Sequence, residues 1–345
     1  MTHRAAPREP LVTVLGASGF VGSAVARQLA RRPGRLRLVA RRPASVPADA
    51  RADTEVRTTD LTEPGALADA VEGSDAVIHL VARITGASTW RIAEDDTAAE
   101  RVNVGLMRDL IEVLGARRTA GGRLPAVVFA GTALQVGLPA HTRIDGTEPD
   151  HPTDVYGGQK LAAEHALKRA AQDGILRGAA LRLPTVFGHG AESTVADKGV
   201  VATMVRRALA GEPLSMWHDG TVRRDLVYVD DAAAAFLAAL DHVDALAGRH
   251  WLIGTGRGEG LGAVFTTIAD LVSRRTGRPP VPVVSVPPPA QAEAVDFHSV
   301  EIDSTAFRTV TGWRPRVPLH DGLSRTVTAL SEPSPAHQPL LRPRS

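Results

Sequence analysis

Apolar residues fall in short unbroken runs along this chain, separated by stretches in which they recur at helical spacing, and that alternation predicts an α/β fold. The first run is Leu11 to Leu15; a glycine-rich segment follows, and Ser23 to Arg32 then place alanine, valine and leucine on one helical face. Further runs lie at Leu36 to Ala40, Ala76 to Ala82, Ala126 to Ala130, Ala179 to Leu183 and Trp251 to Gly254. Between them, Ala66 to Val71, Glu100 to Leu114 and Leu161 to Ala171 carry helical spacing. Strands that are apolar throughout are buried on both faces, so the pattern predicts a doubly wound parallel sheet with helices on each side. Ligands of such sheets bind beyond the C-terminal ends of the strands. After Leu183 the alternation weakens, and a smaller, discontinuous C-terminal lobe is expected. Pro279 to Pro289 predicts an extended stretch, and Ser331 to Ser345 a disordered tail.

The segment joining the first strand to the first helix is Gly16-Ala17-Ser18-Gly19-Phe20-Val21-Gly22. Its glycines allow a tight turn and a close backbone approach to a pyrophosphate, whose charge is favoured at the helix N-terminus. A glycine triplet also serves a close-packed turn that binds nothing. Roughly twenty positions past the turn, where NAD enzymes carry an acidic residue for the ribose hydroxyls, the chain has Arg41-Arg42. A guanidinium there suits a 2′-phosphate and makes NADPH the expected cofactor, against a reading of the pair as a solvated turn.

Tyr156-Gly-Gly-Gln-Lys160 adds candidate chemistry in a chain with only two tyrosines and three lysines. On a helix the two side chains share a face about one turn apart. A cation beside a phenol stabilises the phenolate, which suits a general acid acting on a ketone or alcohol oxygen. A surface helix pair is the plainer alternative.

Composition narrows the classes. The 345 residues are 43% hydrophobic and 23% charged, those of an ordinary globular protein able to bury a substantial core. Cysteine is absent, which excludes disulfides, thiolate nucleophiles and cysteine-bound zinc, and no metal site is expected. Formal charge is +2 and the arginines are interspersed with acids, so nucleic acid is not an expected partner. No apolar run reaches the length that spans a bilayer, so a cytoplasmic protein without membrane contact is expected.

Gly16-x-x-Gly19-x-x-Gly22, Asp60-Leu61, His79-Leu80-Val81-Ala82, Asn103-Val104, Tyr156-x-x-x-Lys160, Arg224-Asp225-Leu226-Val227-Tyr228-Val229-Asp230-Asp231, Gly312-Trp313-Arg314-Pro315 and Leu319-His320-Asp321-Gly322-Leu323 stand in the order found in one family. Over residues 10 to 330 the chain resembles the extended short-chain dehydrogenase/reductases. Thr89-Trp90-Arg91, Ile144 to Pro149 and Asp296 to Glu301 resemble, within it, the dTDP-4-keto-6-deoxyhexose 4-ketoreductases of deoxysugar pathways.

The resemblance implies a Rossmann domain over 10–183, with a later contribution near 225–257, and a substrate-binding domain over 184–224 and 258–330. It implies Thr132, Tyr156 and Lys160 as catalytic residues, with Thr132 holding the substrate oxygen against Tyr156; a strand-end hydroxyl is the alternative for Thr132. Cofactor contacts are implied at Gly16, Ser18, Gly19, Phe20, Val21, Gly22, Arg41, Arg42, Asp60, Leu61, Leu80, Val81, Ala82, Asn103, Tyr156, Lys160, Leu183, Pro184 and Thr185. Asn103 otherwise reads as a helix or turn cap. Substrate contacts are implied at Thr85, Thr132, Tyr156, Thr185, Val200, Trp217, Arg224 and His298. Arg224 belongs to a motif that holds a nucleotide-sugar diphosphate, or else forms a structural pair with Asp225 or Asp230.

Three departures from the family pattern matter. Gln135-Val136-Gly137 replaces a Val-Tyr-Gly ending, which bears on local packing. Ala133-Leu134 replaces the Asp-Glu pair of dehydratases, which removes the acid and base that dehydration needs. Thr185 replaces an asparagine. The implied activity is NADPH-dependent 4-ketoreduction of a dTDP-linked keto-deoxyhexose by a homodimer. A nucleotide-sugar epimerase and a non-catalytic NADPH-sensing protein are the alternatives.

Overall fold

The computed structural model describes residues 9–84, 92–93, 95–117, 123–190, 193, 197–217, 219–289 and 292–332. Five strands, β1 (Leu11–Leu15), β2 (Arg35–Ala40), β3 (Asp53–Thr58), β4 (Ala76–His79) and β5 (Ala126–Thr132), join Arg177–Leu183 and Arg249–Leu252 in one seven-stranded sheet. The order across it is Arg249–Leu252, Arg177–Leu183, β5, β4, β1, β2, β3, with every pairing parallel. Strand order reverses between β1 and β4, which opens a crevice at their C-terminal ends.

Helices α1 (Phe20–Ala30), α2 (Ala66–Ala70), α4 (Leu106–Ala116), α5 (Val155–Gln172) and α7 (Val229–Asp241) cover this sheet, while α3 (Thr97–Glu100) leads into α4 and α6 (Val200–Ala210) lies in the C-terminal lobe. Neighbouring strand residues point to opposite faces. Val14, Ile78 and Val128 pack with α1 and α7, whereas Leu15, Val77 and Phe129 pack with α2, α4 and α5. Both faces are therefore dry, which is why the strands read as unbroken apolar runs.

Several boundaries differ from those the periodicity predicts, each for a local reason. The first helix begins at Phe20, three residues before Ser23, because the glycine turn is itself the helix start. The fifth begins at Val155 rather than Leu161, where Asp154 accepts the Gly157 N–H at 2.7 Å and caps it. β3 has no apolar run: it lies at the sheet edge, and Asp53, Glu55 and Val56 are exposed. The stretch beginning at Glu100 is broken by a π-helical turn, Arg101–Gly105, between α3 and α4.

Beyond Leu183, short strands at Thr185–Phe187, Leu214–Met216, Arg223–Tyr228 and Gly258–Gly260 combine with α6 and the helices Leu261–Thr276 and Leu319–Ser331. The core on the α1 face continues into this lobe through Val205, Phe265, Ile268 and Leu323. Ser331, expected to open a tail, closes the last helix; residues 333–345 lie outside the described residues. Among the described residues no helix is long and apolar enough to cross a membrane.

Candidate active site

The glycine turn lies at the crevice. Gly16 has φ +88°, and a Cβ on it would come within 3.1 Å of the Leu80 and Val81 backbone. At Gly22 a Cβ would stand 2.0 Å from the Gly16 carbonyl oxygen, so any side chain would push the turn and helix apart. Gly19 is the N-cap of α1, no side chain caps it, and the first turn carries no acid. Its N–H groups, which have no intrahelical partner, and the helix dipole thus favour an anion.

A cleft of about 270 Å³ opens above this turn, lined by Gly16, Ser18, Gly19, Arg41, Arg42, Asp60, Leu61, Leu80, Val81 and Ala82. Phe20 and Val21 follow in the first turn, half-buried. Asp60 accepts the Thr62 hydroxyl at 2.7 Å and its N–H at 2.9 Å; these bonds, with the charge of Arg41, hold its carboxyl below the usual range. Thr62, Arg83 and Arg101 also line the cleft, and the motifs do not single them out. With a donor-rich turn and an apolar floor, the residues fit a nicotinamide dinucleotide.

Tyr156 and Lys160 occupy the start of α5, both buried. The Lys160 ammonium donates to the Ala130 carbonyl of β5 at 3.0 Å and lies 4.7 Å from the centre of the Phe129 ring and 5.7 Å from that of Tyr156. Burial lowers the Lys160 pKa to about 7. Burial, with the nearby Asp154 carboxylate, pushes the Tyr156 hydroxyl well above its ordinary value. The phenol is therefore held in its acid form. His79, at the end of β4, stands edge-on to Phe129 at 5.6 Å, and burial together with the Lys160 charge lowers its pKa to about 3.

Thr132 ends β5 and is paired in register with Leu183, which sets Leu183-Pro184-Thr185 beside it. Its Oγ1 accepts the Leu134 N–H at 3.3 Å, which leaves the hydroxyl proton for another acceptor. Ala133 and Leu134 follow as the first residues of a 3-10 turn, Ala133–Val136, without a carboxylate.

The remaining expected contacts divide. Asn103 is buried in the π-helical turn, where its amide accepts from the Arg83 N–H at 2.8 Å and donates to the Arg83 carbonyl at 3.0 Å and to Gln159 Oε1 at 2.7 Å. It thereby ties the segment after β4 to α5. Arg224 donates to the backbone carbonyls of His298, Asp296 and Val295, at 2.5, 2.8 and 3.1 Å, rather than to Asp225 or Asp230. Asp225 accepts instead from Thr255, Gly256 and Ile302. His298 caps the short helix Ala294–Phe297, Val200 opens α6, and Thr185 opens a strand paired with Leu226. Trp217 is half-buried just past Leu214–Met216. Thr85 and Thr89-Trp90-Arg91 lie outside the described residues.

One feature of the site escaped the motifs. Arg182, in the buried part of the strand Arg177–Leu183, is fully buried and donates to Glu164 at 2.9 and 2.8 Å and to Asp150 at 2.5 and 2.8 Å. Burial alone would raise the Glu164 carboxyl, but hydrogen bonds from His250 and Arg182 and the charges of Arg182 and Lys168 hold it far below the usual range. A lone arginine in a buried strand demands a carboxylate partner, and Glu164, one turn past Lys160, was a visible candidate.

The fold agrees with the comparisons. A model of the NAD dependent epimerase/dehydratase family matches residues 12–254, and the chain belongs to that family. It is 27% identical to a dTDP-L-rhamnose 4-epimerase of Burkholderia thailandensis, over 93% of this chain and 95% of that one. It is 29% identical, with the same coverage, to a dTDP-6-deoxy-L-talose 4-dehydrogenase (NAD(P)(+)) of Kitasatospora kifunensis. Among solved structures, MoeE5 in complex with UDP-glucuronic acid and NAD superposes with a TM-score of 0.74 at 26% identity, covering 92% of this chain and 98% of that one.

Proposed function

We propose that this protein is an NADPH-dependent 4-ketoreductase acting on a dTDP-linked 4-keto-6-deoxyhexose. Arg41 and Arg42 on the wall of the dinucleotide cleft carry the reductive reading, since two guanidinium groups favour the phosphorylated cofactor drawn from the reducing pool. The two relatives that act on dTDP-sugars support the substrate class.

Gly16, Gly19 and the N-terminus of α1 would hold the pyrophosphate, Arg41 and Arg42 the 2′-phosphate, and Lys160 the nicotinamide ribose. The bound nicotinamide supplies a hydride. Thr132 donates its hydroxyl proton in a hydrogen bond to the sugar carbonyl, which orients it toward Tyr156. Tyr156, kept protonated by burial, gives its proton to that oxygen as carbon 4 becomes an alcohol carbon. Lys160, fixed by the Ala130 carbonyl, stabilises the phenolate that remains, until solvent returns the proton. We assign residues 184–224 and 258–330 to the sugar nucleotide, and a homodimer as the working assembly.

A 4-epimerase is the second reading, favoured by the full-length likeness to the rhamnose enzyme; the same three side chains would serve a transient ketone. Incubation with dTDP-4-keto-6-deoxyglucose distinguishes the two. The reductase consumes one NADPH per sugar, whereas an epimerase leaves the cofactor pool unchanged.

A further inference from the structure

The family resemblance gives Gln135 a place in local packing only. In the structure its side chain is fully buried, and both ends of the amide are committed. Oε1 accepts the Thr132 backbone N–H at 2.8 Å, and Nε2 donates to Glu164 Oε2 at 2.7 Å. Thr132 N–H can only donate and the Glu164 carboxylate can only accept, so the amide orientation is fixed by its neighbours. Glu164 is in turn held by Arg182, and Arg182 by Asp150. Gly131 makes room for the link: a Cβ there would lie 2.6 Å from Gln135 Oε1.

The helix that carries Tyr156 and Lys160 thus reaches back through Glu164, one turn beyond Lys160, to grip Gln135, the residue that holds the Thr132 backbone. A valine at 135, as in the family ending, would satisfy neither the Thr132 N–H nor Glu164 Oε2. We propose that Gln135 is a positioning residue: backed by Glu164 and Arg182, it fixes the Thr132 backbone, and with it the hydroxyl, relative to Tyr156. The catalytic consequence rests on the ketoreductase reading, while the positioning itself does not.

The test uses Gln135→Met, which keeps the length of the side chain and removes both bonds. Exchange of the Thr132 amide hydrogen, followed by NMR, should be at least tenfold faster in the variant, with Val128 in the middle of β5 unchanged. Turnover of dTDP-4-keto-6-deoxyglucose should fall at least tenfold, with NADPH affinity retained. In a Thr132→Val background the same substitution should cost no further turnover, because Gln135 acts through Thr132. Unchanged Thr132 exchange would overturn the proposal, and so would faster exchange with full turnover or a full additional loss in the Thr132→Val background. If the wild-type protein does not turn over the sugar, the ketoreductase reading fails, and Thr132 exchange alone decides the positioning claim. Should Gln135→Met not fold, the wild-type chain still decides: a Thr132 amide that exchanges as fast as an open loop refutes it.

Discussion

The Lys160 ammonium donates to the Ala130 carbonyl at 3.0 Å, so the end of β5 and the start of α5 are joined at the point where chemistry is proposed. The bond fixes the lysine without neutralising it. Its charge sits among Phe129, Tyr156 and His79, and burial is the force that shapes every titration there.

Tyr156→Phe should retain cofactor affinity and lower turnover by at least ~100-fold, the scale for loss of a general acid. Fluorescence titration with NADPH and steady-state turnover check the two halves. Near wild-type turnover would remove Tyr156 from the mechanism.

The Lys160 pKa predicts a pH dependence of stability. Below pH 7 the lysine is charged in folded and unfolded chains alike, and the full cost of burying it is present. Between about 7 and the ordinary 10.5 the unfolded chain binds the extra proton, so stability rises with pH. Relative to Lys160→Met, the wild type should gain up to about 1.4 kcal/mol per pH unit within that window. Urea unfolding of both proteins at pH 7 and pH 9 measures it; a constant difference would mean that the ammonium is solvated.

How far the site could be read in advance follows from where its bonds run. The glycine turn and the Tyr156–Lys160 spacing are local motifs legible in the residues themselves, whereas Asp60 and Thr132 were marked by the family resemblance. Alternation gives the parallel sheet with helices on both faces, while the strand order about β1 is a finding of the structure. What the sequence hid lies in long-range partners. Gln135 looks ordinary in sequence, and only folding brings its amide, from a 3-10 turn, and the Arg182 guanidinium, from a strand, each within 3 Å of the Glu164 carboxylate of α5. Arg224 was visible, but the carbonyls of residues 295–298 that it holds were not. β3 was missed because an edge strand half in water needs no apolar run.

Changing Arg41 and Arg42 together to Ser should abolish most of the preference for NADPH over NADH while leaving NADH binding within a few fold. Dissociation constants for both cofactors, measured in both proteins, check this. Equal affinities in the unmodified protein would show that the pair is only a solvated turn.

Glu164→Leu should cost about 3–5 kcal/mol, because it leaves the Arg182 guanidinium buried with part of its pairing gone. Denaturant unfolding measures the loss. A cost below about 1 kcal/mol would show that Asp150 alone satisfies the arginine.

The most direct test of the proposed function follows the label from NADPH carrying deuterium on the transferred position of carbon 4. With dTDP-4-keto-6-deoxyglucose, the deuterium should appear on carbon 4 of the hexose, attached to the new alcohol carbon, one per NADPH oxidised and without loss of water. A product at the substrate's oxidation level, or a sugar that changes configuration while the label stays on the cofactor, would contradict the account and assign the site to epimerisation.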